Sequence, residues 1–282
     1  VIGRASRGNI NPDDDIGNAT TRQEGFRTKP FMPMKYPDDL LGPLGVKTSN
    51  YVAVLFGSDA GAINDLGQVV GIRHAPPNSG LYLLAYRTDP QGKIGPVSTG
   101  FEIGNFGEIN GVNRLGQFTG YTQYAQPHLG AFRSSANGEP DALYPIDTFV
   151  PPTLRAIPKG INDSGQVAGY LHGLTGDYAF RTAPNAEINM ATDIIVGSFG
   201  GQHSQALGIN VSGVAVGYSE LTTPYQFHAF RSEPDSPMED LGTLVGESGT
   251  SVANAINSEG WIVGYSTFEV GSDRIHAVAI DD

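Results

Sequence analysis

Cysteine is absent, which excludes disulfides, thiolate metal sites and cysteine nucleophiles. Basic residues are few: 17 Lys plus Arg face 29 Asp plus Glu, a net charge of −12 with a pI near 4.8. That balance argues against a phosphate-binding surface, so nucleic acid is not an expected partner. No apolar run approaches about 18 residues, and no membrane span is expected. No stretch keeps apolar residues at i, i+3 and i+4 through three turns, so helices are expected to be minor. GxSxG, a phosphate-cradling Gly-rich loop, a dinucleotide fingerprint and the HxH or HExxH spacings of transition-metal sites are also missing. Glycine and proline are in excess: 38 Gly and 19 Pro make 57 of 282 residues. That is about one in five, against about one in eight in average usage. Hydrophobic residues, at 39%, suffice for a sizeable core.

The excess is periodic. Ile63-Asn64-Asp65-Leu66-Gly67-Gln68-Val69-Val70-Gly71 recurs as Val112 to Gly120 and as Ile161 to Gly169, with looser copies at Ile209 to Gly217 and Ile256 to Gly264. The asparagines at 64, 113, 162, 210 and 257 are spaced 49, 49, 48 and 47 apart. A second motif follows each first one, as Ala85-Tyr86-Arg87, Ala131-Phe132-Arg133, Ala179-Phe180-Arg181, His228-Ala229-Phe230-Arg231 and His276-Ala277-Val278. A third precedes the next unit, as Asp39-Leu40-Leu41-Gly42 and Asp240-Leu241-Gly242. Asn-Asp-x-Gly between apolar runs is a hairpin connection: Asn and Asp hydrogen-bond the local backbone, and Gly accepts a positive φ.

Four short strands in about 47 residues, repeated about six times, is the arithmetic of a β-propeller blade. The expected fold is therefore all-β, a β-propeller of about six four-stranded blades, with five blades plus a divergent N-terminal cap as the alternative. A β-solenoid is the rival, but its coils are shorter. Residues 1–282 read as a single repeat domain. Within it, 1–35 form a divergent first blade or cap, aligned through Ile10-Asn11, and 36–282 hold five clear repeats of about 47–49 residues.

The combination of Ala-x-x-Ile-Asn-x-x-Gly-x-Val-Val-Gly with a following His-Ala-Phe resembles the bacterial "probable extracellular repeat, HAF family". The full tripeptide occurs at His228-Ala229-Phe230, and Asp240-Leu241-Gly242-Thr243-Leu244 matches the family's connecting strand. The resemblance covers about residues 36–280. It implies secretion and a repeat fold and implies no reaction. Val1-Ile2-Gly3-Arg4 is not a signal peptide, so the chain reads as a mature, secreted form.

The fold explains the repeated residues first. The Asn row braces turns, and the row Tyr121, Tyr170, Tyr218 and Tyr265 packs between blades. The row Arg27, Arg87, Arg133, Arg181 and Arg231 makes a repeated ion pair or stacking contact. Trp261, which replaces the Gln of other units, is expected to be buried between blades.

Function is sought where the repeats disagree. Seven residues before the Asn stand Arg4, Arg155 and His203; five before, Asp59, Glu108 and Gln205; three before, Asn110, Lys159 and Asn254. By strand alternation these positions share one side, which in an innermost strand looks toward the channel mouth. Glu108, Asp59 and His203 are the candidate catalytic acid, base and proton carrier. Arg155, Lys159, Arg4 and Asn254 are candidates for substrate binding, the first two as a clamp for a carboxylate or oxyanion. Asn9, Asn11, Asp13 and Asp15 place oxygens at every second residue, as calcium loops do, but no Gly stands sixth and no Glu twelfth. No other metal or cofactor is expected.

These residues favour one asymmetric pocket acting on an extracellular carbohydrate, as a polysaccharide lyase or glycoside hydrolase. The alternatives are a lectin-like module with repeated sites and a secreted scaffold for another protein, bound through loops such as 73–82 and 219–227. The carbohydrate assignment rests on analogy with secreted propellers.

Overall fold

Strands form where β-branched and aromatic residues lie between Gly, Asn and Asp turns. The computed structural model describes residues 2–7, 22–27, 58–74, 83–90, 100–104, 107–122, 130–138, 142–195, 198–268 and 274–280. It is all-β: among the described residues the one helical element is the 3-10 turn Gly246–Ser248, and no helix is long and apolar enough to cross a membrane.

Among the described residues five sheets form, each an open antiparallel meander apart from one parallel bridge. The first pairs β1 (Ile2–Arg7) with β2 (Arg22–Arg27). The second runs β3 (Ser58–Ile63), β4 (Val69–His74), β5 (Leu83–Arg87), β6 (Gly100–Gly104). The third orders β7 (Gly107–Val112), β8 (Phe118–Thr122), β9 (Ala131–Ser134) and β10 (Leu143–Pro145) in the same way. A seven-stranded sheet holds β11 (Arg155–Ile161), β12 (Val167–His172), β13 (Asp177–Arg181), β14 (Gly200–Ile209), β15 (Ala215–Leu221), β16 (Phe227–Ser232) and β17 (Glu239–Asp240). Its β13–β14 junction is parallel and rests on the single pair Asp177↔His203. The last sheet is β18 (Ser251–Ile256), β19 (Ile262–Thr267), β20 (Ile275–Ile280). Contacts divide the chain into two compact units, one of 1–118, 122–129 and 135–143, the other of 119–121, 130–134 and 144–282.

One register recurs. Opposite each second-strand glycine stands the aromatic or Val of the third strand: Gly71↔Tyr86, Gly120↔Phe132, Gly169↔Phe180, Gly217↔Phe230 and Gly264↔Val278. Tyr86, Phe132, Phe180 and Phe230 are fully buried, each contributing on the order of 2–3 kcal/mol. In the 144–282 unit Phe180 packs with Ala131, Ile146, Ala156 and Ile188, and Phe230 with Ala168, Ala179, Ala206 and Ala215. The β1–β2 pair shows the same register, Gly3↔Phe26 and Ile2↔Arg27, matching Gly217↔Phe230 and Val216↔Arg231. It therefore corresponds to the second and third strands of a repeat. Aligning on Asn11 counts Ile2–Arg7 as a first strand, and the pairing corrects that: Arg4 stands at the position of Tyr218, not of Arg155 and His203.

A β-bulge interrupts four first strands, β3, β11, β14 and β18, three residues before the Asn, skipping Gly61, Lys159, Leu207 and Asn254. The bulge pushes a carbonyl against the second strand. A Cβ on Gly71, Gly169, Gly217 or Gly264 would lie 1.8, 2.2, 1.8 or 1.9 Å from the oxygen of Asp59, Ile157, Gln205 or Val252. Only glycine fits that approach.

The Asn row does what its chemistry predicts. Asn162 Oδ1 accepts the N–H groups of Ser164 and Gln166, closing a turn in which Gly165 has φ +74°. Its Nδ2 also donates to the Asn210 carbonyl of the next repeat at 3.1 Å, as Asn64 does to Asn113 at 2.8 Å. Three members of the Arg row reach across repeats too, to backbone carbonyls. Arg87 donates to Gly116 and Ser135, Arg133 to Gly165, Asn185 and Ala186, and Arg181 to Gly213, Ser232 and Glu233. Burial lowers the pKa of Arg133 and Arg181 without threatening their charge. Arg231 pairs with Glu239 at 2.9 Å, the ion pair expected of the row.

Candidate functional site

The rim of the seven-stranded sheet gathers charge in one row. Arg155 in β11 pairs across to His172 in β12, His172 to Asp177 in β13, and Asp177 to His203 in β14. Side chains directly opposite in a ladder lie about 5 Å apart, so cross-strand pairing alone brings these four together. Glu220 in β15 extends the row. Its carboxylate accepts the N–H of Gln202 at 2.9 Å and of Tyr225 at 3.0 Å, and His203 lies close enough to act on it.

Asp177 is the centre. Its Oδ1 lies 2.7 Å from His172 Nδ1, while its Oδ2 accepts the Gln205 amide at 2.7 Å and lies 3.5 Å from His203 Nδ1. With Nδ1 of each ring turned to the carboxylate, Nε2 is the nitrogen left to face a ligand. The Asp177 side chain is 10% exposed, His172 56% and His203 43%. The backbone N–H groups of Tyr225 and Gln202 hold the Glu220 carboxyl below its ordinary range, so it stays ionised. Burial, with Asp177 adding to it, raises the Tyr218 hydroxyl, which stays neutral and able to donate. Asp177 and His203 open into a cleft of about 590 Å³ that Thr175, Tyr178, Gln202 and Ser204 also line.

Of the residues chosen from sequence, Arg155 and His203 come together on this row. Lys159 joins their face: its Nζ lies 6.0 Å from the ring centroid of Tyr170, which is two residues from His172 on β12. Alternation from Arg155 also puts Lys159 on this side, but Lys159 is the bulged residue, so its placement rests on the approach to Tyr170. Asn254, at the β18 bulge, is exposed in the same unit. Asp59 and Glu108 lie in the other unit. Asp59 is half-buried, and its carbonyl accepts the Tyr86 hydroxyl at 2.9 Å. Glu108 is exposed on β7. Asn9, Asn11, Asp13 and Asp15 lie outside the described residues. Among those described, no three His, Asp or Glu are arranged to hold a metal ion. Trp261, expected to be buried, is 43% exposed, in a turn where Asn257 and Glu259 are exposed as well.

Sequence reasoning missed Asp177, His172 and Glu220. The signal was present in the third strand. Asp177 holds the ladder position that Leu83, Phe227 and Ile275 hold in other repeats, each two residues before the motif alanine, as Leu129 also is. The chain matches no family model, no curated protein and no solved structure.

Proposed function

We propose that this protein is a secreted β-propeller of the repeat type its motifs resemble, with six blades, acting on an extracellular carbohydrate at one asymmetric site. The shared register in six successive strand groups, Gly to aromatic in five and Gly to Val in the last, β1–β2 included, supports six blades. One observation carries the functional reading: a carboxylate, Asp177, stands where four of the other five repeats place Leu83, Leu129, Phe227 and Ile275, the β1–β2 pair having Gln23, and it lies between two imidazoles. The packing of the repeat does not require that exchange, whereas an imidazole oriented by a carboxylate is equipped for proton transfer. His203, half-exposed in the cleft, is the proton-transfer group, Asp177 its positioning residue, and Tyr178 and Gln202 line the substrate's path. The repeated-site lectin reading loses its Arg candidates, since Arg87, Arg133 and Arg181 are engaged with backbone carbonyls.

Incubating the full chain with a panel of extracellular polysaccharides tests this. New reducing ends or unsaturated products are expected, with His203→Ala slowing their appearance by about 10²–10⁴-fold at an unchanged unfolding midpoint. A parent protein that turns over none of them contradicts the enzymatic reading.

A further inference from the structure

We infer that the site takes an acidic saccharide, bound through a carboxylate or sulfate on the sugar; this rests on the carbohydrate reading above. The row sorts its charges by depth. Both carboxylates are buried and satisfied from within, Asp177 by His172 and Gln205, Glu220 by the N–H groups of Gln202 and Tyr225. The nitrogen-bearing groups are the ones turned outward: Arg155 is exposed, His172 and His203 are about half exposed, and Lys159 lies over Tyr170 on the same face. A ligand approaching this rim meets donors and positive charge. Elsewhere the chain is acidic, with a net charge of −12, and repels anions at long range. A local cationic face on such a protein selects an anion that also fits the cleft, and the planar guanidinium of Arg155 suits a two-oxygen group. Neutral sugars gain nothing from the arrangement.

Isothermal titration of the full chain with three oligosaccharides of matched length decides the matter: an oligouronate, its carboxyl-reduced neutral counterpart, and a sulfated form of that counterpart. At least one acidic ligand is expected to bind about tenfold tighter than the neutral one, the worth of one charge-assisted hydrogen bond. Arg155→Ala, at an exposed position where folding is not at risk, removes that advantage and leaves neutral binding unchanged. The acidic arm that shows the advantage identifies the group recognised. Equal affinity for all three, or an advantage that survives Arg155→Ala, overturns the inference while leaving the carbohydrate reading in place. Binding of none of them overturns both.

Discussion

Arg181 joins two repeats with a single side chain. Its guanidinium donates to the carbonyls of Gly213 at 2.9 Å, Ser232 at 2.9 Å and Glu233 at 3.1 Å. Truncation takes a donor from all three in a partly buried place, although Glu233 keeps the Ser236 N–H at 3.1 Å, so Arg181→Ala should cost about 2 kcal/mol in urea unfolding, and Lys, lacking the fork, should restore little. A loss below a few tenths of a kcal/mol would mean water replaces the side chain at no cost. The Asn row was legible in the sequence because its acceptors and donors are local and its spacing spells the turn. The Arg row was legible as structural, and Arg231 makes the kind of ion pair expected, but the carbonyl partners of Arg87, Arg133 and Arg181 were not legible, because backbone carbonyls carry no sequence signature.

The bulge governs what the strands can do. Lys159 and its counterparts occupy an extra place in the first strand, so a two-residue period cannot assign their side, and only the contact with Tyr170 places Lys159. The same bulge makes the second-strand glycine obligatory. Gly169→Ala puts a Cβ 2.2 Å from the Ile157 oxygen, a backbone atom that cannot swing away, and should cost about 3 kcal/mol or more. Gly160→Ala meets only the Ile209 Cγ2 methyl at 3.3 Å and should cost about 1 kcal/mol or less. Thermal unfolding of the pair separates them; equal midpoints would remove the bulge as the cause. The glycines were visible as repeat markers, yet the reason for them was not, since a register shift leaves no trace in composition.

At the scale of the molecule, the all-β class and the repeat were readable from periodicity alone, because turn chemistry recurs every 47 to 49 residues. The site was half readable. Arg155 and His203 emerged from comparing first strands, while Asp177, His172 and Glu220 lie on second and third strands and meet the others only through cross-strand pairing. Repetition settles the scaffold, so departures from it are where a single site can be built, and Asp177 is the sharpest departure in the described sheets. The most direct test is Asp177→Leu, which restores the residue type that four of the other repeats use, with unfolding midpoint and polysaccharide turnover measured side by side. The account predicts a midpoint unchanged or raised, as when apolar packing replaces a buried charge, together with turnover lost by about 10²-fold or more. Full turnover in a stably folded variant, or a variant that fails to fold, would contradict it.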